Sequence, residues 1–178
     1  VIGYDSDEHK IELLERGTSY IEDVDKELLR SYLDANLYLP TNSEGALINA
    51  DIYIIAVPTP LDNNRKPDLT YIENATNLIS KAATKPSLIV NESTSYPGTL
   101  RNLIKKRVEK SSKVKHYYAV SPERVDPGRQ DFNQKSTPRL IAGIDKLSIE
   151  KALEFYSTFC DSIVILNNPE VAETAKLF

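Results

Sequence analysis

Short apolar runs recur along the chain at 1–5, 51–57, 87–91, 116–120, 139–144 and 162–166, and the segments between most of them carry apolar residues at helical spacing. Runs this short, bounded by turn residues and separated by helices, define an α/β chain whose strands pair in parallel through crossover helices. The helix signals agree. Asp5 or Ser6 can cap a helix that runs to Arg16 and stops at Gly17, and a second helix is expected over 26–33. Residues 37–39 read as a short strand and 43–49 as a single helical turn. Asp68 is placed to cap a helix to about residue 83, and Pro97 to open one to about residue 109. A helix over 148–159 follows, and Pro169 starts the last one. The expected architecture is a doubly wound, mainly parallel sheet with helices on both faces.

Composition narrows the function. With 22 Lys plus Arg against 26 Asp plus Glu, and a net charge of −4, the chain has no broad positive field for nucleic acid or an anionic membrane surface. No apolar run approaches the roughly 20 residues of a membrane span, and no signal-peptide pattern opens the sequence, so a soluble cytoplasmic protein is expected. A single cysteine, Cys160, excludes an internal disulfide and a thiolate zinc site; two histidines leave little for another metal centre. Cys160 lies among Phe155, Tyr156 and Phe159 and reads as a packed, inert thiol.

In a doubly wound sheet, ligands bind at the carboxyl ends of the strands. Asp5 ends the first run, with Lys10 five residues on. A carboxylate there can accept hydrogen bonds from ribose hydroxyls of a dinucleotide, or can simply cap the helix. Val57-Pro58-Thr59-Pro60 ends the second long run, where the first proline stops the ladder and turns the Thr59 hydroxyl toward the crevice. Glu92-Ser93-Thr94 places hydroxyls just before an expected helix N-terminus, a position for an anion or water, and also one where Ser and Thr act as caps. Ser121-Pro122-Glu123-Arg124-Val125-Asp126-Pro127-Gly128 sets two acids and an arginine in a rigid loop, readable as a ligand-orienting group or as a surface pair. Glu173 and Lys176 lie three apart on a helix, as an ion pair or with Lys176 free to face an oxyanion.

Taken in order, Tyr4-Asp5 with Lys10, Val57-Pro58-Thr59-Pro60, Glu92-Ser93-Thr94 with Tyr96-Pro97-Gly98-Thr99, the loop from Ser121 to Gly128, and Glu173-Thr174-Ala175-Lys176-Leu177-Phe178 resemble the UDP-glucose/GDP-mannose dehydrogenase family over essentially the whole chain. Within it, the loop from Ser121 to Gly128 is most similar to the branch acting on UDP-N-acetylhexosamines, especially UDP-N-acetylglucosamine 6-dehydrogenases. Pro127 stands where the UDP-glucose branch carries a second glutamate as general base. The resemblance implies a Rossmann-like NAD-binding domain over 1–168, without its first strand and glycine loop, and the start of a central inter-domain helix over 169–178. It implies oxidation of a UDP-sugar at C6 to the uronate for surface polysaccharide precursors, with a nucleophilic cysteine that Cys160 does not match. It further implies a homodimer or larger homo-oligomer through that helix, and no nucleic-acid or membrane partner. By the same resemblance, Asp5 and Lys10 contact the adenosine ribose, and Val57, Pro58 and Thr59 line the dinucleotide. Thr94 lies near the nicotinamide and the catalytic water, Glu123 is the active-site carboxylate, and Lys176 stabilises an oxyanion. A non-catalytic nucleotide-binding or assembly module of the same fold, and a UDP-glucose 6-dehydrogenase, are the alternatives. Both ends of the chain read as element interiors, so the stretch alone is expected neither to fold stably nor to catalyse.

Overall fold

The computed structural model describes residues 1–21, 24–122 and 137–177. They group into two compact units, which divide near residue 48.

In the first unit, strand β1 (Ile2–Tyr4) pairs in parallel with β2 (Leu39–Thr41), Ile2 opposite Leu39 and Tyr4 opposite Thr41. Helix α1 (Glu8–Glu15) follows β1 and buries Ile11 and Leu14. Its cap is Asp7, whose carboxylate accepts the His9 and Lys10 N–H groups. The expected caps, Asp5 and Ser6, are displaced because Asp5 Oδ1 accepts the Asp7 N–H at 3.0 Å, carrying the chain through one more turn before the helix begins. Gly17, at φ +66°, ends α1 with the paired bonds Gly17 N–H to Leu14 O and Thr18 N–H to Leu13 O. Helix α2 (Lys26–Asp34), capped by Asp25, and a 3₁₀ turn at Glu44–Leu47 complete the unit.

The second unit holds the sheet β3 (Ile52–Ile55), β4 (Leu88–Asn91), β5 (Tyr117–Val120), β6 (Arg139–Gly143) and β7 (Ile163–Ile165), in that spatial order. β3, β4 and β5 are parallel; β6 runs antiparallel to β5, with Val120 opposite Ala142; β7 runs parallel to β6. Helix α3 (Thr70–Ala82) connects β3 to β4. A π-helical segment (Leu100–Lys105) continues into α4 (Lys106–Ser111) before β5, α5 (Lys146–Tyr156) joins β6 to β7, and α6 (Pro169–Ala175) follows β7. Leu88 and Val90 of β4, with Ala119 and Ile141, pack on Ala152 and Tyr156 of α5 and on Cys160. Ile89 alternates to the opposite face and is also fully buried, which is why β4 reads as an unbroken apolar run. This is a Rossmann-like α/β fold with a mainly parallel sheet.

Pro97 does not open the helix after β4. Gly98 takes φ +95°, so Pro97-Gly98-Thr99 is a turn and the helix begins at Leu100 with a π-helical stretch, a widened geometry common near functional sites. No helix among the described residues is long and apolar enough to cross a membrane.

Candidate functional site

The turns that leave β3 and β4 are stitched together at the carboxyl edge of the sheet. The Glu92 and Ser93 N–H groups both donate to Ile55 O, the Val57 N–H donates to Ser93 Oγ at 2.8 Å, and the Thr59 hydroxyl donates to Thr94 O at 2.6 Å. Asn91, fully buried, organises the second turn from within: its Oδ1 accepts the Ser93 N–H at 3.2 Å and its Nδ2 donates to Ser95 Oγ at 3.1 Å. Thr59 therefore braces the neighbouring turn with its proton and keeps acceptor capacity toward the crevice. Pro58, exposed beside it, holds this exit rigid. Thr94 is half-buried, and its hydroxyl has no hydrogen-bond partner among the described residues.

Below this turn lies a charged cluster. Glu92 Oε1 accepts from the Tyr156 hydroxyl at 2.5 Å and from Arg139 Nη2 at 3.2 Å, and the Arg139 guanidinium stacks 4.8 Å from the Tyr156 ring centroid. Burial, reinforced by the Glu92 charge, pushes the Tyr156 phenol far above its ordinary pKa, so it remains a donor. From α6, Lys176 Nζ donates to the Glu92 carbonyl at 2.7 Å.

Glu173 does not form the expected surface pair with Lys176. It is 2% exposed, and its two oxygens accept the Gly98 N–H at 2.5 Å and the Leu100 N–H at 2.8 Å. Burial holds its carboxyl above the usual range although both N–H groups pull the other way. The helix N-terminus readable as a position for an anion or a water, or for a Ser or Thr cap, is thus met by a side chain of the protein itself.

In the first unit, Asp5 and Lys10 form a part-exposed ion pair at 3.2 Å. Lys10 also lies 5.4 Å from the Tyr20 ring centroid, and the hydrogen bond to Asp5 raises its pKa. Asp5 is not the helix cap, although its Oδ1 accepts the Asp7 N–H and so sets where the helix begins. Glu123 and the loop from Glu123 to Gly128 lie outside the described residues. Sequence reasoning singled out Thr94 and Lys176 but not Asn91, the Glu92 carboxylate, Arg139 or Tyr156. Glu92 was visible as a strand-end acid; Arg139 and Tyr156 carry no local signal and acquire their place only through β6 and α5.

Hydroxyl-bearing turns at the carboxyl ends of the parallel strands of an α/β sheet are the mark of a dinucleotide-binding domain of the Rossmann-like class. In the second unit the hydroxyl-bearing turns are of a chemistry that fits a dinucleotide; the six glycines include no G-x-G-x-x-G, so no phosphate loop is among them. Residues 1–160 match the model of the UDP-glucose/GDP-mannose dehydrogenase family, NAD binding domain, and the chain belongs to that family. It is 36% identical over 182 residues to the UDP-N-acetyl-D-mannosamine dehydrogenase of Methanocaldococcus jannaschii, across 99% of this chain and 41% of the relative. A structure of the UDP-D-ManNAc dehydrogenase from Pyrococcus horikoshii superposes with a TM-score of 0.89 at 30% identity, over 99% of this chain and 43% of that one. A ternary complex of GDP-mannose dehydrogenase from Pseudomonas aeruginosa gives 0.89 at 27% identity, over 99% and 43%. The chain spans about two-fifths of the length of the relatives it matches.

Proposed function

We propose that this chain is the NAD-binding part of an enzyme that oxidises C6 of a UDP-N-acetylhexosamine to the uronate in the cytoplasm, supplying precursors for surface polysaccharide. The observation that carries the reading is the meeting of Lys176 and the Thr94 turn, far apart in sequence, through the Glu92 carbonyl. It joins a cation and a half-buried hydroxyl at the carboxyl edge of a parallel sheet. NAD, when bound, accepts hydride. Asp5, with Lys10 beside it, receives the adenosine ribose hydroxyls, and Val57, Pro58 and Thr59 form a rigid wall of the cofactor crevice. Thr94 orients a water or the reacting hydroxyl; Lys176 stabilises negative charge developing on the C6 oxygen. Glu123 supplies a carboxylate to the same reaction, and two copies associate through the helix that begins at Pro169.

The relatives named above act on the manno epimer by their names, so UDP-N-acetylmannosamine is the first substrate to try beside UDP-N-acetylglucosamine. Full-length protein, assayed for NADH formation with both of these, UDP-N-acetylgalactosamine and UDP-glucose, is expected to reduce two NAD per acetylhexosamine oxidised. Thr94→Ala and Lys176→Ala are expected to lower kcat by about 100-fold or more. Failure to reduce NAD with any UDP-sugar refutes the reading.

A further inference from the structure

We propose that Glu173 is a positioning residue for the reaction: its carboxylate clamps α6 to the Pro97-Gly98-Thr99 turn and thereby sets Lys176 and Thr94 in register. The inference rests on the dehydrogenase reading given above.

Three observations converge on it. Glu173 presents its two oxygens to two separate backbone N–H groups, Gly98 at 2.5 Å and Leu100 at 2.8 Å, while 98% of its surface is removed from water. Backbone donors point where the main chain points, so the bidentate contact fixes the turn and not merely a rotamer. Lys176 follows one helical turn later and reaches the Glu92 carbonyl at 2.7 Å, while Thr94 lies two residues beyond Glu92 on the same strand exit. The clamp and the lysine contact thus grip the segment from Glu92 to Leu100 at both ends from a single seven-residue helix. The outer contact between α6 and this segment, Arg101 Nε to Glu170 Oε1 at 2.9 Å, is far more exposed, with side chains 44% and 29% accessible, and holds α6 only weakly.

The widened helix start explains why a carboxylate is needed. The first N–H groups of a helix lack intrahelical partners, and burying them without an acceptor is costly. Glu173 satisfies the one at Leu100 together with the Gly98 N–H of the turn before it. A glutamine offers one carbonyl oxygen and turns an amide N–H₂ against the second donor, so Glu173→Gln breaks one arm of the clamp with little change of volume.

The test uses the full-length protein and three variants: Glu173→Gln, Glu173→Asp and Arg101→Ala. Kinetics with the UDP-sugar that wild type oxidises are combined with the rate at which an amine-reactive reagent labels Lys176, read by peptide mass spectrometry without cofactor or substrate. Glu173→Gln is expected to lower kcat by about 10- to 100-fold with KM for the UDP-sugar within about twofold, the signature of a displaced reacting group. It should also speed Lys176 labelling by about tenfold while the other lysines react as in wild type, since one lost arm frees α6 locally. Arg101→Ala should leave both within about twofold. Wild-type kcat and wild-type Lys176 labelling in Glu173→Gln overturn the proposal, as does a uniform rise in labelling at all lysines, which marks general loosening. If Glu173→Gln does not fold, Glu173→Asp, with both oxygens drawn back by one methylene, gives the same readings. An inactive wild type sinks the dehydrogenase reading, and the labelling comparison still decides the clamp.

Discussion

Replacing Arg139 with methionine is the sharpest test of how this sheet is held together. Arg139 and Glu92 are 7% and 15% exposed at their side chains, so their 3.2 Å contact sits in a poorly solvated environment. Arg139→Met removes the cation and leaves a carboxylate with the Tyr156 hydroxyl on the same oxygen. Breaking a buried pair from one side costs about 3–5 kcal/mol, because the remaining charge stays desolvated. Loss of the guanidinium from the Tyr156 ring face is part of the same change, worth about 1–2 kcal/mol when desolvated, so about 4 kcal/mol is expected in all. Adding Glu92→Gln removes the carboxylate charge while the amide oxygen still accepts from the phenol. The double variant should therefore be about 2 kcal/mol more stable than Arg139→Met alone. Urea unfolding of the full-length protein, followed by amide exchange at Val90, Asn91 and Ile141, reads the stability of these strands separately from the rest of the molecule. A cost below about 1 kcal/mol for Arg139→Met, or single-variant costs that add within about 0.5 kcal/mol, would refute the picture of one coupled cluster.

Other substitutions probe different parts. Gly143→Ala places a Cβ 2.7 Å from the Ile149 backbone nitrogen and 2.9 Å from Ser148 Cβ, so β6 and α5 must separate; a loss of about 2–3 kcal/mol in urea unfolding is expected. His116 is 3% exposed, and burial lowers its pKa, so its contribution to stability is fully present above the ordinary value of 6.5 and is lost as pH falls through the lower folded value. Melting temperature against pH should fall on that side, and His116→Asn should flatten the slope; parallel curves would contradict it. Asp5→Asn breaks only a part-exposed ion pair, so stability should move by less than about 1 kcal/mol, while the calorimetric Kd for NAD rises about tenfold or more.

The strand and helix order was legible because β4 is buried on both faces and a helix start can be marked in sequence, as by Pro169 in the first turn of α6 after its cap Asn168. What was not legible depended on long-range partners. Asp5, Ser6 and Asp7 are equivalent caps by composition, and only the bond from the Asp7 N–H to Asp5 chooses Asp7. Glu173 and Lys176 have the spacing of a surface pair, yet one is captured by backbone donors 73 and 75 residues away and the other by a carbonyl 84 residues away. An apolar run likewise carries no sign of its direction: 139–144 looks like its parallel neighbours and runs the opposite way.

That reversal decides where the chain leaves the sheet. Val120 lies opposite Ala142 and Ile141 opposite Ile165, so β6 and β7 descend only a short way and β7 ends level with the carboxyl end of β5. From there α6 runs antiparallel to the helix after β4, with Glu170 beside Arg101 and Glu173 beside Gly98. The chain thus leaves β7 already beside the strand exits, and seven residues of helix suffice to deliver an ammonium to a turn laid down more than eighty positions earlier.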